Sequence, residues 1–243
     1  MKPKLIVEPD ASRLVEKAGA ALIEAARNSI LARGRFSLAL AGGSTPKALY
    51  AYLASPERSH QVPWNYVHVF FGDERAVSPE DVFSNYRMAR EALLNHVPIP
   101  AENVHRMQAE REDLEVAAEE YAADLDKFAP LDLVLLGMGD DGHTASLFPN
   151  SPVLHETKKS CAATPVASLQ PQVRRMTLTF PAINSAERVW ILITGAGKTA
   201  RLKQVEIAQR SGQLDIEAMP VLGVAPGKEY IWWLDEAAVP SES

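Results

Sequence analysis

The run Asp132–Pro149, DLVLLGMGDDGHTASLFP, constrains this chain more than any other stretch. Leu133, Val134, Leu135 and Leu136 follow one another without a polar break. A short uninterrupted apolar run fits a central strand covered on both faces. Gly137, Gly139 and Gly142 then arrive at close spacing, with Asp140, Asp141 and His143 among them. Glycine admits positive φ and leaves room for another molecule to approach the backbone. A strand ending in this way builds the mouth of a site, and in open α/β sheets ligands lie at the carboxyl ends of the strands. His143 is the residue there whose side-chain type exchanges a proton near neutral pH.

The same grammar recurs along the chain. Phe36–Ala41 runs into Gly42-Gly43-Ser44-Thr45-Pro46-Lys47, Val67–Phe71 into Gly72-Asp73-Glu74-Arg75, and Val189–Ile193 into Thr194-Gly195-Ala196-Gly197-Lys198. Helical periodicity fills the gaps. Leu14, Ala18, Leu22, Ala25 and Ile30 share one face of a helix capped by Asp10 or Ser12 and stopped at Gly34. Further helices are expected from Ser44 to about Leu53, from Ser84 to about Asn95, over Leu114–Phe128, and from Lys198 to about Arg210. Lys4–Val7 and Tyr230–Leu234 read as strands, with shorter ones near Val104, at Ser160–Ala163 and at Met176–Phe180. Of Trp232 and Trp233, one ring is expected inside and one partly outside. Strands alternating with helices predict α/β: one domain over residues 1–243, with a mostly parallel sheet flanked by helices on both faces in a Rossmann-like arrangement. Residues 239–243 are expected to fray.

Composition narrows the function classes. Hydrophobic residues make up 47% of the 243, enough for a substantial core, and a net charge of −6 argues against a general nucleic-acid binder. The single cysteine, Cys161, admits no intrachain disulfide and suits a reducing compartment. The start, MKPKLIVEPD, is neither a signal peptide nor a membrane span, so the expected address is cytoplasmic with no membrane partner. A monomer and a small homo-oligomer are equally compatible with the sequence.

In a parallel sheet the four loops lie on one edge. They would bring helix N-termini, hydroxyl groups, Lys198 and Arg75 beside His143 and several carboxylates. That set suits a small phosphorylated substrate with acid–base chemistry at its other end. Each part also has a plainer reading. GGSTP is neither a Walker A loop nor GxGxxG and fits a simple capped helix. Lys198 fits a solvated first-turn lysine, Arg75 a partner for Asp73 or Glu74, and Arg174-Arg175 ordinary surface charge. His60, His68, His96, His105 and His155 lie apart without metal-ligand spacing, and no metal is expected.

The segments LALAGGSTPKALY, FFGDERAVSPEDVFSNYRMAREALL, LVLLGMGDDGHTASLFP and GAGKTARL, spread in order over residues 38–202, resemble the 6-phosphogluconolactonases of the pentose phosphate pathway. The wider superfamily includes glucosamine-6-phosphate deaminases, which share the glycine loop and the Gly-Asp-Gly-His core. Here the chain continues as Thr-Ala-Ser-Leu-Phe-Pro and carries Asp-Glu-Arg and Ser-Asn-Tyr, as the lactonases do. The resemblance implies a glucosamine-6-phosphate deaminase-like fold and hydrolysis of 6-phospho-D-glucono-1,5-lactone without a cofactor. It implies that His143 activates the attacking water, with Asp141 orienting the imidazole and Arg75 assisting at the phosphate or the reacting carbon. Gly42, Gly43, Ser44, Thr45, Asp73, Arg175 and Lys198 are the expected substrate-binding residues. The alternatives are a deaminase-type isomerase, a serine hydrolase using Ser44 with His143, and a non-catalytic sugar-phosphate sensor.

Overall fold

In the computed structural model, residues 2–167 and 169–240 are described. The chain opens with β1 (Lys4–Glu8) and the long α1 (Ala11–Arg33). Asp10 caps α1 by accepting from the Arg13 N–H at 2.9 Å, and Gly34 closes it with φ +75°. β2 (Phe36–Leu40), α2 (Ser44–Ala54), β3 (Val67–Phe71) and the short β4 (Asp73–Arg75) follow. Next come α3 (Asn85–Ala92), α4 (Leu114–Leu125), β5 (Leu133–Leu136), β6 (Cys161–Thr164), β7 (Arg175–Leu178) and α5 (Phe180–Ser185). β8 (Arg188–Ile193), α6 (Thr199–Ser211) and β9 (Glu229–Asp235) complete the order. Among the described residues no helix is long and apolar enough to cross a membrane.

Six strands form one sheet in the order β1-β9-β8-β5-β2-β3, and every neighbouring pair in it is parallel. β2 and β5 are buried at every residue, as strands covered on both faces must be. The one polar side chain in β2, Ser37, is answered by Asp132. Its N–H and hydroxyl both donate to Asp132 Oδ2, at 2.8 and 3.0 Å, and Arg33 forms an ion pair with the same carboxylate. From β2 the chain steps outward to β3, then returns to place β5 on the other side of β2. The order therefore reverses between β2 and β5, and the carboxyl ends of these two strands flank the crevice where ligands of open sheets sit.

Several expectations need correction. β4, β7 and β6 form a separate three-stranded sheet, and Asp73–Arg75, read as a loop, is one of its strands. Three residues are too few to show a period. The strand near Val104 is a single bridge to Val69. α3 ends at Ala92 and α4 at Leu125, both short of their expected ends. Trp232 and Trp233 are both buried, at 2% and 4% exposure. β9 is buried on both faces from Tyr230 to Asp235, and Trp233 packs edge-on against Trp190. Of the expected frayed tail, residues 241–243 lie outside the described residues.

Candidate active site

The carboxyl ends of β2, β3, β5 and β8 enclose a cleft of about 250 Å³. Gly42, Gly43, Ser44, Thr45, Asp73, Arg75, His143, Arg175 and Lys198 all line it. Asp141 is not part of the lining but holds His143 from behind. All ten residues singled out from sequence therefore meet at one place.

The turn after β5 is tight, with Gly139 N–H donating to the His143 carbonyl and Gly142 N–H to the Gly139 carbonyl. It folds the imidazole back over Gly139, where a Cβ would stand 2.1 Å from His143 Nδ1. Asp141 Oδ1 accepts from His143 Nδ1–H at 2.5 Å and from the His143 backbone N–H at 3.1 Å. Burial pushes the Asp141 pKa up, but the hydrogen bond and charge of His143 outweigh it and hold this carboxyl below its ordinary value. Phe148 packs its ring 4.7 Å from the imidazole, and the Arg175 guanidinium lies 5.1 Å over the same ring.

The other side of the cleft gathers cationic side chains and a helix N-terminus. Gly43 takes φ +103° at the start of α2, which leaves the Ser44 and Thr45 N–H groups at an open helix N-terminus. Thr45 Oγ1 is engaged by Thr194 Oγ1 at 2.7 Å, which ties this loop to the end of β8. Arg75 and Arg175 face each other directly across the β4–β7 ladder. Like charges at facing positions repel, and both arginines bury an Nε without a hydrogen-bond partner. Arg75 gives one N–H to the Phe83 carbonyl at 2.5 Å. Arg175 is only 3% exposed and has Asp73 Oδ2 at 3.9 Å. Burial lowers its pKa; Asp73 works against that shift and Arg75 adds to it. Lys198 Nζ is held in an ion pair by the exposed carboxylate of Asp140, whose backbone carbonyl accepts from Arg201 Nε at 2.8 Å.

Of the plainer readings, the one for Arg174 holds: it pairs with Glu115 at the surface. Arg75 is not a side-chain partner of Asp73 or Glu74. Instead Glu74 accepts the N–H groups of Arg75, Asn85 and Tyr86, each at 2.8 Å, and the Ser84 hydroxyl at 2.9 Å. It thereby caps α3 and shapes the loop that carries Arg75. Asp73 is occupied as well, since Asn85 donates to Oδ1 at 2.9 Å and Ser146 to Oδ2 at 2.6 Å. Its geometry suits holding Arg175 better than meeting a ligand directly. Sequence reasoning missed Glu74, Asn85, Ser146, Phe148 and Thr194. The available signals were the acid ahead of the Ser84 cap and the small polar Ser146 between apolar neighbours. Among the described residues, no group of three or more His, Cys, Asp or Glu is placed to hold a metal. No hydrogen bond joins Ser44 to His143 among them either.

A parallel sheet with a His–carboxylate pair and a cationic cleft at its reversal point has known relatives. The chain belongs to the family described as Glucosamine-6-phosphate isomerases/6-phosphogluconolactonase, whose model matches residues 9–242. Within that family it is 40% identical to a 6-phosphogluconolactonase from Nostoc sp., with 98% of each chain covered. It is 38% identical to the 6-phosphogluconolactonase of Mycobacterium tuberculosis, again over 98% of each. The solved structure of 6-phosphogluconolactonase from Trypanosoma brucei superposes with a TM-score of 0.81 at 30% identity, covering 98% of this chain and 97% of that one. A glucosamine-6-phosphate deaminase superposes at 0.82 with 18% identity and 98% coverage of both, a likeness of fold alone.

Proposed function

We propose that this chain hydrolyses 6-phospho-D-glucono-1,5-lactone to 6-phospho-D-gluconate, the second step of the oxidative pentose phosphate pathway. The observation that carries the reading is the joining, in one cleft, of the His143–Asp141 pair to the cradle of Ser44, Thr45, Arg75, Arg175 and Lys198. The full-length similarity to 6-phosphogluconolactonases supports it.

With Asp141 ionised, Nδ1 of His143 carries the proton and Nε2 keeps its lone pair. Nε2 takes a proton from water as the oxygen attacks C1, and the imidazolium gives a proton to the ring oxygen as the C1–O bond breaks. Asp141 steadies the imidazolium between these steps. General acid–base assistance of this kind contributes roughly 10²–10⁴-fold in rate. A lactone is an activated ester, so the scheme needs no covalent nucleophile, and it assigns no part to a cofactor, nucleic acid or membrane. The 6-phosphate takes the place of Asp140 at Lys198 and meets the facing arginines, fixing C1 against the water. A cytoplasmic address belongs to the same reading.

The test is the appearance of 6-phosphogluconate from freshly made lactone, coupled to 6-phosphogluconate dehydrogenase and compared with spontaneous opening. Acceleration well above the blank is expected. No acceleration, with ammonia released from glucosamine 6-phosphate, would replace this reading with the deaminase one.

A further inference from the structure

β1 lies at the edge of the main sheet, and among the described residues no strand stands on its outer side. The Glu8 carbonyl turns inward and accepts from the Glu236 N–H at 2.9 Å. Backbone groups alternate sides along a strand in a parallel ladder, so Leu5 and Val7 present their N–H and C=O groups outward. An edge of this kind is a template for another strand. The Leu5 and Val7 side chains are 57% and 45% exposed and stand on one face. There they border a groove of about 500 Å³ floored by Leu202 and Val205 of α6.

The sequence across this edge is charge-inverted about Ile6: Lys2-Pro3-Lys4-Leu5-Ile6-Val7-Glu8-Pro9-Asp10. In a second copy running antiparallel, with Ile6 opposite Ile6, Lys4 faces Glu8 and Leu5 faces Val7. Opposite charges and apolar pairs at facing positions both stabilise a ladder. The same register makes Leu5 and Val7 the hydrogen-bonded pairs, since theirs are the groups that point outward. Pro3 and Pro9 have no N–H to give and end the ladder on both sides. A parallel pairing in register would set Lys4 against Lys4 and Glu8 against Glu8.

We propose that this edge is a self-association surface whose partner is a second copy of the chain, β1 pairing antiparallel with β1 about a twofold axis at Ile6. The axis stands perpendicular to the sheet, joins two six-stranded sheets into one, and brings both copies of the groove together on the same face. The cleft lies at the carboxyl ends of β2, β3, β5 and β8, so association leaves it open.

Analytical ultracentrifugation of the full chain, from low micromolar to near-millimolar concentration, tests this. A monomer–dimer equilibrium is expected. Lys4→Glu and Glu8→Lys each set like charges opposite one another twice per dimer and should each weaken Kd by about tenfold or more. An equimolar mixture of the two variants restores every opposite pair and should recover dimer as the heterodimer, as should the double variant with itself. Recovery also shows that the single variants are folded. A chain that stays monomeric throughout, with the groove left to solvent or to its own last residues, would overturn the proposal. So would a dimer that neither charge reversal weakens.

Discussion

At the scale of single residues, the site is a set of charges held slightly out of balance. Lys198 is already paired with Asp140, whose side chain is 83% exposed, so in the proposed reading a substrate phosphate competes with a carboxylate for it. Asp140→Asn should therefore lower KM for the phosphorylated lactone, and Lys198→Ala should raise it. Neither should change KM for unphosphorylated gluconolactone; steady-state kinetics on both lactones reads this out. Asp141 makes a different prediction. Its carboxyl is held below the ordinary carboxylate range by His143. Its contribution to stability is therefore present above the unfolded-state value and lost as the pH falls through the lower folded one. The Tm gap between wild type and Asp141→Asn should be widest near neutrality and narrow progressively in acid. A gap that widened in acid would show that the carboxylate is not stabilised by this contact. Phe148 touches both His143 and Arg175, which makes it the packing link between them.

At the scale of elements, each loop lining the cleft follows a strand, and β2 and β5 are tied together by buried polar groups. Asp132 anchors the start of β5 to Ser37 of β2 at the point where the sheet order reverses. Asp132→Ala leaves the buried Ser37 N–H unpaired and should lower unfolding stability by about 1–3 kcal/mol, measured by urea denaturation. The elements legible in the sequence were those with strong local signals. The α1 caps at Asp10 and Gly34, the Ser84 cap, and the apolar runs of β2, β5 and β8 all read directly from neighbouring residues. So did the convergence of the glycine loops, because a parallel sheet places all strand ends of one sense together. What escaped depended on distant contacts. Ser146 reaches Asp73 across 73 positions, and β4 exists only because β7 lies beside it. Arg175 fell between the two cases. Its neighbour Arg174 is surface charge of the ordinary kind, and only the register opposite Arg75 distinguishes them.

At the scale of the whole molecule, an acidic chain with a net charge of −6 keeps a local basic pocket at the one edge where its loops converge. The overall charge speaks to solubility and the pocket to the ligand, and the two need not agree in sign. The sheet order supplies the crevice; in the proposed reading the facing arginines and the α2 N-terminus hold the anion, and His143 on the β5 turn transfers the proton. In the proposed reading these parts serve one reaction through His143. It is tested most directly by kcat for wild type and His143→Asn on fresh 6-phosphogluconolactone, with the spontaneous rate subtracted and product affinity measured on both by calorimetry. A fall in kcat of roughly 10²–10⁴-fold is expected, with product affinity nearly unchanged. A variant that turns over almost as fast as wild type would contradict it.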